Sequence, residues 1–78
     1  MTNERYSVYQ FFDDGTNEQV RAGVFLDEAM KAAKHYTTSV AVQIGVVKRV
    51  IVTDGGDDIV FEWQYGVGVV FPRRTDGS

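Results

Sequence analysis

Two β-rich runs, residues 46–53 and 59–65, meet at Asp54-Gly55-Gly56-Asp57, and no other stretch constrains the fold as much. A two-residue Gly-Gly connection is a hairpin turn whose twist matches that of the strands it joins. It pairs Val52 with Ile59, Val50 with Phe61, Lys48 with Trp63 and Val46 with Tyr65. On the opposite face it pairs Thr53 with Asp58, Ile51 with Val60, Arg49 with Glu62 and Val47 with Gln64. Side chains alternate across a strand, so the first set makes a nearly continuous apolar and aromatic face. The second set is mixed, with opposite charges facing each other. A slip by one residue would send every side chain to the wrong face.

The chain has 78 residues, enough for one domain with a modest core and a thin stability margin. It has no cysteine and one histidine, which removes disulfide frameworks and structural zinc sites. Hydrophobic residues make up 44% and aromatics 13%, a globular composition that points to a core reinforced by self-association. A net charge of −3 disfavours general attraction to nucleic acid or to anionic membranes. Residues 1–5 lack the basic-then-apolar build of a signal peptide, and no apolar run approaches the ~20 residues that cross a bilayer. A soluble, cytoplasmic protein is expected.

Residues 6–12 read as a first strand, Asp13-Asp14-Gly15-Thr16-Asn17 as a turn and residues 18–25 as a second strand. An Asp14-Gly15 turn pairs Phe11 with Glu18, Tyr9 with Val20 and Ser7 with Ala22, leaving Tyr6, Val8 and Gln10 on the other face. Asp27 is a candidate N-cap, and apolar positions recur at Ala29, Met30, Ala33, Tyr36, Val40 and Ile44 with helical spacing. Gly45 suits a helix stop. Thr37-Thr38-Ser39 is the weak point. The preferred reading is one helix to about Gln43, and the alternative ends it near Tyr36 with Val40 to Ile44 extended. Glycines at 66 and 68 loosen the pattern after Tyr65, as an extension of the fourth strand or a short edge strand. Residues 73–78 read as a flexible tail.

The order is ββαββ. A helix of this length spans roughly 25 Å, about one strand, so it returns the chain along the sheet. Strand three then runs in the direction of strand two, and the two Asp-Gly turns lie at opposite ends.

Candidate chemistry is sparse. Asp13, Asp14, Asp54, Asp57 and Asp58 are oxygen donors of the kind calcium takes, but Asp and Gly are also what tight turns require. His35 falls on the polar face of the helix beside Lys31 and Lys34, with no carboxylate to orient it. No nucleophile elbow, phosphate-binding loop or metalloprotease motif occurs. Sheet aromatics with Lys48, Arg49, Arg73 and Arg74 suit a nucleic-acid or regulatory binding domain. Against that, Phe61, Trp63 and Tyr65 share the face that best fits a helix-covered core. No cofactor, metal site or catalytic residue is expected.

Across Tyr6 to Pro72 the chain resembles a group of short, uncharacterised bacterial proteins. The resemblance lies in residues 49–57, in Phe61-Glu62-Trp63 and in Gly68-Val69-Val70-Phe71-Pro72. It implies no activity and transfers no functional residues.

The expected fold is α+β: two hairpins in a mainly antiparallel four-stranded sheet with one amphipathic helix on one face. Strand orders 2-1-3-4 and 1-2-4-3 both fit. The expected core is Tyr9, Phe11, Val20, Met30, Ala33, Tyr36, Val40, Val50, Val52, Phe61 and Trp63. One helix covers one side of such a sheet, leaving Tyr6, Val8, Val47, Ile51 and Val60 as a candidate interaction surface. The expected function is a small non-enzymatic protein-interaction module, with a second copy or an unknown protein as partner, docked on that face or on an edge strand.

Overall fold

The computed structural model describes residues 4–72. Strands β1 (Tyr6–Phe12), β2 (Asn17–Val24), β3 (Val47–Thr53), β4 (Ile59–Gln64) and β5 (Gly68–Phe71) form one antiparallel sheet in the order β2-β1-β3-β4-β5. Helix α1 (Leu26–Thr37) and the single turn α2 (Val40–Gln43) connect β2 to β3. The α+β class, the antiparallel sheet and the 2-1-3-4 order are therefore present. The sheet has five strands and not four, because residues 68–71 fold back through the Tyr65–Val67 turn and pair with β4. The expected flexible tail lies outside the described residues.

Both hairpins close with the same device, and it is not the two-residue turn. Phe12 donates its amide to the Thr16 carbonyl and accepts from Gly15 N–H; Asp54 donates to the Asp58 carbonyl and accepts from Asp57 N–H. The fourth residue of each loop is left-handed, Gly15 at φ 90° and Asp57 at φ 67°. This is a type I turn followed by a left-handed residue, the usual three-residue hairpin. Aspartate carboxylates brace both turns. Asp14 Oδ1 accepts from Thr16 N–H and Oγ1–H, and Asp54 Oδ1 accepts from Gly56 and Asp58 N–H at 2.9 and 3.0 Å.

The second-hairpin register is corrected accordingly. The longer turn shifts the pairing by one residue and a bulge at Val60 shifts it by another. Val50 faces Trp63, Val52 faces Phe61, Ile51 faces Glu62 and Arg49 faces Gln64. A shift of two keeps residues 49–52 and 61–64 on their expected faces, whereas Ile59, now opposite Thr53, and Val60, now packed on the core, change sides. Val50, Val52, Phe61 and Trp63 thus still share the helix-covered side.

The first hairpin departs further. Tyr9 faces Gln19 and Phe11 faces Asn17, and β1 presents Val8, Gln10 and Phe12 to the helix while Tyr9 and Phe11 point away. β1 is apolar on both sides, so alternation did not select its inner face. Gln10 lies on the inner side, where its amide is satisfied by donating to Glu18 Oε1 at 2.8 Å. Bulges at Val20 on β2 and at Lys48 on β3 keep Val20 and Val47 on the helix side.

α1 ends at Thr37, where Thr37 and Thr38 hydroxyls donate back to the Lys34 carbonyl. Ser39 then caps α2, its Oγ accepting from Val42 N–H. A single long helix is thus corrected to a helix and a separate turn, broken at the residues with the poorest helix propensity. Phe25 occupies the N-cap position without a side-chain bond, and Asp27 sits in the first turn, bonding Glu28 N–H. Gly45, at φ 80°, ends α2. The core is Val8, Ala29, Ala32, Ala33, Val42, Val47, Val50 and Val52, with Val20, Tyr36, Phe61 and Trp63 packed against it. Tyr9, Phe11, Met30 and Val40 are outside it, contrary to expectation.

Asp54→Ala is expected to cost about 1 kcal/mol, since it removes two turn bonds to a partly solvated carboxylate. A lower urea midpoint at unchanged slope would report it. An unmoved midpoint would mean that the two glycines and Asp57 hold the turn unaided.

Candidate interaction surface

The two faces of the sheet are finished differently. On the side away from the helix, Arg49 is the organising residue. Its Nε bonds Glu62 Oε2 at 2.7 Å and its guanidinium lies 5.0 Å from the Phe11 ring centre. Gln64 Nε2 donates to the same Glu62 oxygen, and Gln19 Nε2 donates to the Tyr9 hydroxyl. Beneath these groups Ile51 retains 7% exposure, flanked by Tyr9 and Glu62 on the adjoining strands. The Arg49 bond holds the Glu62 carboxyl below its ordinary value of 4.5, with partial burial opposing the shift.

On the helix side, α1 packs over β1 and β3 and reaches β2, and α2 rests on β3. β4 and β5 extend past this layer. Tyr36 faces the β2 flank, where the Arg21 guanidinium lies 5.9 Å from its ring centre. Leu26 and Met30 are exposed roughly 80–120° around the helix from Tyr36, on the side turned away from β2. The result is an open corner. Its wall is Leu26 and Met30, and its floor is Phe61, Trp63, Tyr65 and Val69. Leu26, Met30, Tyr65 and Val69 are 45%, 37%, 41% and 56% exposed, and Phe61 and Trp63 are half-buried.

The five residues predicted from sequence do not form one surface. Val8 and Val47 have no exposure and lie in the helix-side core, because β1 is turned over and the Lys48 bulge inverts Val47. Tyr6 and Val60 are half-buried against that same core. Only Ile51 lies on the open face. Of the proposed phosphate contacts, Lys48 Nζ sits 4.6 Å from the Tyr65 ring centre, Arg49 is paired with Glu62, and Arg73 and Arg74 lie outside the described residues. His35 is exposed, its ring edge-on to Tyr36. Among the described residues no group of three or more His, Asp or Glu side chains converges to hold a metal. Nor is any helix there long and apolar enough to cross a membrane.

The two edge strands also differ. Both carry a bulge (Val20 and Val70) and a left-handed glycine (Gly23 at φ 66°, Gly68 at φ 100°), but only β2 also carries charges, Glu18 and Arg21, that discourage edge pairing. β5 has none of its own charge, and from Tyr65 to Phe71 the chain is uncharged. That uncharged run, with its glycines, was the sequence signal for Tyr65, Val69 and the fifth strand. Comparison with protein-family models, with curated proteins and with solved structures finds no match to this chain.

Because the folded Glu62 pKa is lowered, its ion pair stabilises the fold above about pH 4.5 and that contribution is lost as pH falls through the lowered value. Glu62→Gln should lower stability at neutral pH by about 0.5–1 kcal/mol, since half of the pair is solvated. Wild type and variant should converge below the lowered pKa. A constant difference at all pH values would show that packing, not charge, is what Glu62 supplies.

Proposed function

We propose that the chain is a small non-enzymatic interaction module that self-associates to complete its core. The supporting observation is the size of what is sealed. The largest fully buried side chains are Val8, Val47, Val50 and Val52. The sole tryptophan and all the phenylalanines are only partly covered or exposed. A sealed core of valines and alanines contributes little per residue, since burying a large side chain is worth about 1.5–3 kcal/mol and burying an alanine much less. A second copy covering the aromatics supplies the missing burial. The non-enzymatic reading is supported by Asp14 and Asp54, whose carboxylates brace turns, and by the exposed position of His35.

Sedimentation equilibrium should give a mass twice 8.7 kDa at high micromolar concentration and fall towards 8.7 kDa on dilution. The thermal midpoint should rise with protein concentration, as mass action requires when only the folded state associates. A single-chain mass throughout, with a concentration-independent midpoint, would overturn the proposal.

A further inference from the structure

Resting on that reading, we infer that the self-association surface is the helix-side corner formed by Leu26, Met30, Phe61, Trp63, Tyr65 and Val69. Two copies pack through it face to face about a two-fold axis, each β4–β5 half lying beside the other copy's α1.

Three observations support this occupant. The first is area. With four of its six residues 37–56% exposed, the corner presents on the order of 500 Å² of side-chain surface, over half of the ~800 Å² that a standard interface takes from each partner. Val40 in α2 and Ile44 just after it are a further 71% and 69% exposed. The second is layer spacing. Sheets pack ~10 Å apart face to face, close to the distance at which a helix rides on a sheet. A partner's β4–β5 half therefore fits the layer that α1 leaves vacant.

The third is charge. None of the six residues is charged, but the two ends of β4 differ in sign. β4 leaves the acidic turn Asp57-Asp58 and ends beside Lys48, whose ammonium sits on Tyr65. A two-fold axis perpendicular to β4 runs the two strands antiparallel. That sets each copy's Lys48 end against the partner's Asp57-Asp58 end, an isologous and electrostatically matched contact. The opposite face offers no such vacancy, since Arg49, Glu62 and Tyr9 already cover Ile51.

β5 supplies the test, because its bulge at Val70 sends Val69 to the helix side with Trp63 and Phe71 to the other side with Glu62. The full chain and the variants Val69→Lys, Met30→Glu and Phe71→Lys are compared by sedimentation equilibrium, with circular dichroism confirming the fold of each. Fluorescence of Trp63, the only tryptophan, is followed on dilution. Val69→Lys and Met30→Glu should each weaken association at least tenfold, while Phe71→Lys leaves it within twofold. Trp63 emission should shift to the red over the same concentrations at which the mass halves. A dimer that Phe71→Lys dissociates and Val69→Lys does not, with Trp63 emission unchanged on dilution, overturns this surface and leaves self-association standing. Dissociation by both lysines with unchanged emission moves the contact to the β5 edge and likewise overturns it. A wild-type chain that is monomeric throughout overturns both the surface and the module.

Discussion

The fold depends on how closely α1 can lie against the middle of the sheet. Ala29 and Ala33 are fully buried, as are Val8, Val50 and Val52 in the strands beneath. Small residues on the helix let it settle onto a smooth bed of β-branched side chains, which suits a pleated surface. A helix about 10 Å wide covers roughly two strands spaced ~4.8 Å apart. Placed over β1 and β3, it cannot also reach β5. The exposure of Val69 and the half-burial of Trp63 follow from that geometry, not from any oddity of those residues.

The turns set the rest. Each hairpin spends a five-residue loop where the sequence suggests a shorter one, and each places its fourth residue in the left-handed region. Gly15 adopts it freely; Asp57 does so as one of the few non-glycine types that tolerate it. The carboxylates of Asp14 and Asp54 satisfy loop amides that would otherwise need water. This explains the acidic turns without a cation. It also explains why the Arg49–Glu62 pair survives a changed register: the two residues are now diagonal neighbours on one face, and an arginine spans that separation.

Much of the fold was legible in the sequence: four strands, the helix, their succession along the chain, and the inner face that Val50, Val52, Phe61 and Trp63 share, while strand orders 2-1-3-4 and 1-2-4-3 both stayed open. Those features rest on period and turn chemistry, which act locally. Bulges were not legible. The extra residues at Val20, Lys48, Val60 and Val70 carry no compositional mark, yet one such residue inverts everything beyond it. Val47 changed faces for that reason. β1 was ambiguous for another: with Tyr6, Val8 and Phe12 on one side and Tyr9 and Phe11 on the other, hydrophobicity favours neither. Its inner face was decided by Val52 and Val50, the partners of Val8 and Gln10 across β3. The candidate surface failed with it: all five members were assigned by strict alternation, and Tyr6 and Val8 on β1 and Val47 and Val60 at bulges turned out on the helix side. The weak point at Thr37-Thr38-Ser39 was visible, but the preferred reading ran one helix through it to about Gln43, and the role of Ser39 in starting a new turn was missed.

Both faces of this sheet carry apolar groups outside the core, but hydrophobicity alone does not distinguish a binding surface from ordinary protein exterior. The completeness of local covering does. Ile51 is large and apolar on the face without a helix, yet its own neighbours seal it: Tyr9 on one strand, Glu62 on the other, and Arg49 laid from Phe11 to Glu62. Those covering groups present polar ends to water and bond one another, so dissociating anything from them would expose little. Trp63 sits on the face with a helix and lacks such a lid on its outer side, because its partner across β5, a short edge strand, is only Val69. Side chains that small cannot reach across a tryptophan. The face that looks covered is therefore the one left open, with Trp63 half-buried and Val69 and Tyr65 exposed on it.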